Sequence, residues 1–224
     1  MDYVFHFEII WKNYGLLLEG IWLTTKLSFT ATVIGLLIGI FGALCRTYRI
    51  KPLNWFFGAY VEAIRNTPFL IQLFFIFFGL ASLKLRLTAN QSALIALSAN
   101  LGAYATEIVR AGIESIKRGE IEAGLSLGLS RLQVFRYVIL KPALKTVYPA
   151  LSSQFILLML GSSIVSQISA EELTFTANFL QSRTFRSFEI YFTVTLIYLA
   201  LSGLFRGIFY LVYLQAFSRR RAGY

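Results

Sequence analysis

Asn100, Tyr104 and Glu107 are spaced by four and three residues, so a helix through them places an amide, a phenol and a carboxylate on one face. The run they end, Leu87 to Thr106, contains no Asp, Glu, Lys or Arg. A charge near the centre of a membrane-spanning helix costs about 2.5–3.5 kcal/mol, so Glu107 requires a partner or a water-filled cavity. Arg110, one turn on, is the candidate partner. Gln72, Gln154, Ser162, Ser163 and Ser166 supply uncharged hydrogen-bonding groups in other apolar runs. Gln72, Asn100, Tyr104, Glu107, Gln154, Ser162 and Ser163 are therefore the candidate lining of a polar path through an apolar bundle. For the serines, close helix packing is the competing role, because small residues let helices approach. Covalent chemistry finds little support. His6 is the sole histidine and no HExxH pair occurs, so Ser–His and zinc-dependent hydrolysis lack their base or ligands and no metal site is expected.

The elements that must position these groups follow from composition. Hydrophobic residues make up 57% of the chain and charged residues only 14%, against roughly 25% in a soluble domain. The runs Leu27 to Cys45, Asn66 to Leu83, Leu87 to Thr106 and Thr146 to Ala170 hold no charged residue, and Ile190 to Ser218 holds only Arg206. Each is long enough as a helix to cross about 30 Å of hydrocarbon. The expected fold is an all-α integral membrane protein of five transmembrane helices near 21–45, 66–83, 88–111, 146–168 and 190–216, in a single domain covering 1–224. Asp2, Glu8 and Glu19 and a full-length first span argue against a cleaved signal peptide.

Arg46, Arg49, Lys51 and Arg65 fall between spans one and two, and Arg110, Lys117, Arg118, Arg131, Arg136, Lys141 and Lys145 between three and four. Arg219, Arg220 and Arg221 close the chain. The positive-inside rule puts these in the cytoplasm, with the N-terminus outside and the C-terminus inside. The net charge of +10 is divided among loops rather than gathered on one soluble face, so a nucleic-acid partner is not expected and the lipid bilayer is. The lone Cys45 falls at the expected cytoplasmic end of span one, where thiols stay reduced. Arg206 is expected to face the protein interior or to snorkel inward, and Ser169 to Glu189 is too polar to span and is expected on the outer side as a short surface helix.

Two segments break the apolar pattern. Pro52 to Arg65 mixes aromatic and charged residues like a helix at the inner interface or packed on neighbouring spans, and Thr67–Pro68 then bends or breaks it, making Asn66 to Gln72 a gate, a cavity wall or an ordinary kink. The cytoplasmic segment 119–142 reads as helix, glycine turn, helix. Gly119 is expected to end a helix continuing from span three, Ile121 to Leu127 to form a short helix, and Gly128 to interrupt it. Ser130 and Gln133 have capping-box spacing, Leu132, Phe135 and Ile139 are expected on one face, and Pro142 is expected to disfavour continuation.

The run EAGLSLGLSRLQVFRYVIL, Glu122 to Leu140, resembles the cytoplasmic motif of bacterial ATP-binding-cassette importer permeases, with Glu122, Ala123 and Gly124 in its opening places and Gly128 as its glycine. YVEAIRNTPFLIQLFFIFFGL at Tyr60 to Leu80, GAYATEIVRAGIESI at Gly102 to Ile116 and SRTFRSFEIY at Ser182 to Tyr191 extend the resemblance over nearly the whole chain, toward the polar amino acid uptake branch. There are two departures. Leu140, Lys141, Pro142, Ala143 stand where many relatives have Leu-Pro-Gln-Ala, and Leu160, Gly161, Ser162, Ser163, Ile164 stand where many carry a Lys-Asp or Lys-Asn pair before Thr/Ser-Ser-Leu.

The resemblance implies a permease in the bacterial inner membrane that pairs with a second copy or a paralogue. It further implies docking of a separate ATP-binding subunit through Glu122, Ala123, Gly124, Leu125 and Gly128, and delivery of a polar amino acid by a periplasmic solute-binding protein. No G-x-x-x-x-G-K-[ST] loop occurs, so ATP and its Mg²⁺ are expected on the partner and no cofactor on this chain. Alternating access would carry the solute inward. A self-sufficient channel or secondary transporter is the alternative, and it would transport without nucleotide.

Overall fold

The computed structural model describes residues 5–217, of which 85% are helical, with no strand among them. A short α1 (Glu8–Lys12) precedes α2 (Tyr14–Thr47). The chain continues through α3 (Leu53–Arg65), α4 (Phe69–Ser82) and α5 (Ala89–Glu114). It then forms α6 (Arg118–Ser126), α7 (Arg131–Ile168), α8 (Leu173–Thr184) and α9 (Ser187–Phe217). Four of these, α2, α5, α7 and α9, are long and apolar enough to cross a membrane, and the bent pair α3–α4 can make a fifth span.

The pair α2 and α5 forms the spine. Gly35 and Gly39 on α2 meet Leu101 and Ala105 on α5, and Gly42 meets Thr106, so the two helices run parallel. A Cβ built on Gly39 would lie 2.4 Å from the Ala105 Cβ, an approach only glycine permits. In lipid such contacts act through van der Waals packing, because hydrocarbon tails are as apolar as leucine. The resulting core gathers Leu27, Ala31, Leu73, Ala96, Leu97 and Val165 from four helices. By contrast Trp22, Phe29, Trp55 and Phe75 are exposed, as the outer faces of a membrane bundle require.

The region 66–83 is one limb of an angle, with α3 and α4 meeting at 113°. Pro68 has no N–H to continue the α3 ladder and restricts Thr67 before it. The α3 helix is packed against neighbouring spans: Phe57 and Val61 are buried, Phe57 lies against Gly42, and the Tyr60 hydroxyl donates to the Ala99 carbonyl.

Several local expectations are corrected. The helix of span three stops at Glu114, and Gly119 lies inside α6 without a positive φ, so it ends no helix. Pro142 does not stop α7, because a π-helical turn at Phe135–Ile139 immediately precedes it and the wider ladder accommodates the ring and its missing donor. That wider turn also rotates the face. Val134 and Ile139 are buried, while Leu132 is 76% exposed rather than aligned with Ile139. The helix within 169–189 is packed into the bundle, with Leu173, Thr176, Ala177 and Leu180 of α8 buried beside α2.

Candidate functional site

A cavity of about 240 Å³ lies where α4, α5 and α7 converge, and Asn100, Tyr104 and Gln154 supply its polar lining. Phe69, Leu97, Leu157, Leu158, Gly161 and Ile164 make the rest of the wall. Asn100 and Tyr104 reach it from one face of α5, as their four-residue spacing requires. A Cβ built on Gly161 meets nothing within 4 Å, so that position opens the cavity instead of filling it.

Gln72 stands behind this wall and repairs the helix break. Its Nε2 lies 2.8 Å from the Ile64 carbonyl, 3.0 Å from the Thr67 carbonyl and 2.9 Å from Thr67 Oγ1. Its Oε1 accepts from Asn100 Nδ2 at 3.0 Å. Carbonyls freed by Pro68 thus find donors inside the protein, and irregular backbone at membrane depth is tolerated only where it is covered or lines a cavity. The same amide orients Asn100.

The other three candidates for the path are elsewhere. Glu107 is clamped by arginines: Arg46 on α2 pairs with Oε1, and Arg110 Nη2 lies 2.8 Å from Oε2. Arg110 also holds Glu114 at 2.6 Å. The cluster joins the ends of α2 and α5 and neutralises a side chain only 19% exposed. Ser162 is fully buried and donates to the Met159 carbonyl at 2.7 Å, and Ser163 donates to Leu160 at 2.8 Å. Both hydroxyls are spent on their own helix.

The motif segment forms a tight hairpin. Leu129 N–H donates to the Gly124 carbonyl at 3.2 Å and Gly128 N–H to Leu125 at 2.9 Å, the two bonds that define a Schellman ending. Gly128 has φ +80°, which an L side chain adopts only with strain. Ser130 Oγ then accepts from Gln133 N–H while Gln133 Oε1 accepts from Ser130 N–H, completing a capping box that starts α7. Gly124 is buried, and a Cβ there would come within 3.3 Å of Val134 and Val138. Glu122 and Ala123 are exposed on the other side, beside Leu125, Leu127 and Leu132, which are 44%, 82% and 76% exposed.

A buried carboxylate that the sequence reading passed over sits near the other end of the bundle. Glu172 is fully buried at the N-cap of α8, where Oε1 accepts from Phe175 N–H at 2.8 Å and Oε2 from the Tyr198 hydroxyl at 2.7 Å. Thr24 Oγ1 lies 3.5 Å from Oε2 and accepts from Leu173 N–H at 3.1 Å. The acid therefore joins α2, α8 and α9. Burial pushes its pKa up, and these hydrogen bonds pull it partly back. The local signal was a Glu directly ahead of a helix start.

Several long apolar helices around a small polar cavity, with a hairpin at one end, define a multi-pass membrane protein. Residues 35–218 match the family described as binding-protein-dependent transport system inner membrane component, and the chain belongs to that family. A probable glutamine ABC transporter permease protein of Bacillus subtilis is 36% identical over 87% of this chain and 90% of its own length. An L-cystine transport system permease protein of the same organism is 41% identical over 69% of this chain and 66% of its own. The structure also superposes on that of an amino acid ABC transporter with a TM-score of 0.89 and 37% identity, covering 95% of this chain and 100% of the other.

Proposed function

We propose that this chain is the permease subunit of an importer that carries a polar amino acid from periplasm to cytoplasm. ATP hydrolysis occurs on a separate subunit that also holds the Mg²⁺. The observation that carries the reading is the α6 hairpin, whose inner side is fixed by Gly124, Gly128 and the capping box while Glu122, Ala123, Leu125 and Leu127 face outward. An ATP-binding subunit docks on that outward side in the cytoplasm. The hairpin packs through Ile121 and Leu129 onto Val134 and Ile139 at the start of α7, beside Ile113 at the end of α5, so its displacement moves both helices. Two permeases rocked in this way alternate between inward-open and outward-open states.

Substrate passes the cavity of Asn100, Tyr104 and Gln154, with Gln72 setting the Asn100 amide. Amide and phenol groups offer hydrogen bonds to an amino acid's ammonium and carboxylate without a fixed countercharge, which suits a neutral polar side chain. Gly161 contributes to this, since it opens the wall where a carboxylate would attract a cation. Glu107, Ser162 and Ser163 act in packing and ion pairing. A periplasmic solute-binding protein supplies the amino acid. The function is tested by proteoliposomes holding the permease and its ATP-binding subunit. Uptake of labelled glutamine should require both ATP inside and the binding protein outside, whereas uptake without nucleotide would assign a channel or secondary carrier.

A further inference from the structure

A second cavity, about 430 Å³, lies between α7 and α9 and is unrelated to the polar path. It is lined by Arg206 together with Tyr148, Ser153, Ile156, Phe209 and Tyr210. Arg206 is exposed within a helix otherwise free of charge from Ile190 to Phe217 and makes no ion pair or hydrogen bond among the described residues. A guanidinium left without a protein partner in a span calls for an anion or for water.

The cavity's depth shows what kind of anion. Tyr148 donates to the Phe209 carbonyl at 3.0 Å, and its ring lies 5.9 Å from Tyr213 and 5.8 Å from Phe217. Such aromatic clusters mark the level of lipid headgroups. Exposed Lys145 stands about one turn earlier on α7 and Lys141 another turn beyond, on the headgroup side of the cavity lining. Arg206 lies about one turn deeper than Phe209–Tyr210, within reach of the belt for a long side chain that snorkels. Ile156 provides an apolar wall below it, and Phe209 one on the headgroup side. A cation at headgroup depth above an apolar slot matches one phosphodiester and one acyl chain.

A second copy of this chain is a poorer occupant. Arg131–Ile168 contains no Asp or Glu, and α9 has only Glu189 at its far end. Glu107 and Glu114 of α5 are already held by Arg46 and Arg110, and Glu62 of α3 accepts from Asn66 at 2.9 Å.

We propose that this cavity binds an anionic phospholipid of the adjacent leaflet, with Arg206 pairing to the headgroup phosphate. The site goes beyond the transport reading and does not depend on it. The test uses the permease with its ATP-binding subunit in uncharged detergent, titrated with phosphatidylglycerol and followed by native mass spectrometry. Wild type should retain phosphatidylglycerol in preference to phosphatidylcholine. Arg206→Gln should weaken retention about fivefold, the effect of about one basic residue at a lipid surface, and Arg206→Lys should restore part of it. Ser153→Trp, which leaves Arg206 in place and fills the slot, should also lose the lipid. Equal retention by Arg206→Gln, equal retention of phosphatidylcholine, or displacement of the lipid by millimolar inorganic phosphate would overturn the proposal. So would a cross-link from Arg206→Cys to a second permease.

Discussion

At the scale of single residues, the Glu107 carboxylate is matched by arginines and the lining of the polar cavity carries no charge. Glu107 meets two arginines, while Gly161 leaves the cavity wall uncharged and open. Gly161→Asp should therefore insert and fold, because its Cβ meets nothing, and should lower glutamine uptake by about tenfold by leaving a carboxylate unpaired in the cavity. Competition with lysine or arginine in the same uptake assay checks the gain in attraction for cations. Glu172 gives the pH dependence. Its folded pKa is raised by burial, so the folded state holds the proton more tightly than the unfolded chain. Its contribution is fully present below the ordinary value of 4.5 and is lost as pH rises through the folded pKa. Thermal midpoints measured from pH 4.5 upward should fall with pH in wild type, and the slope should flatten in Glu172→Gln.

At the scale of elements, close helix approach and two well-made breaks set the architecture. Gly39→Val should lower stability by about 1–3 kcal/mol, since a Cβ alone would stand 2.4 Å from Ala105 Cβ. A drop in the thermal midpoint of the purified complex checks this. The residues also show what a sequence can reveal. The capping box of Ser130 and Gln133 and the turn at Gly128 were legible because both are local patterns, settled within a few residues. The apolar runs likewise located the long helices, since length and lack of charge decide them. Pro142 misled because a π turn five residues long absorbed it, and nothing in its neighbours announces that turn. Gln72 was recognised as a polar group at depth, but its work on the Ile64 and Thr67 carbonyls depends on a 113° fold of the backbone. Glu172 was missed because its partners Thr24 and Tyr198 are distant in the chain.

At the scale of the whole molecule, the hairpin and the cavity belong to one mechanical unit. The long helix α7 begins at the Ser130 capping box, passes Gln154 and Gly161 on the cavity wall and ends at Ile168. On the proposed function, a push on α6 would be transmitted along this helix to the groups that line the cavity. The most direct measurement is the ratio of ATP hydrolysis to amino acid uptake in proteoliposomes containing the permease, its ATP-binding subunit and the binding protein, for wild type, Glu122→Lys and Gly128→Asp. The account predicts that both variants insert normally while uptake per ATP falls at least about tenfold, as expected when a contact worth more than about 1.4 kcal/mol is lost. Unchanged coupling in both variants would contradict it.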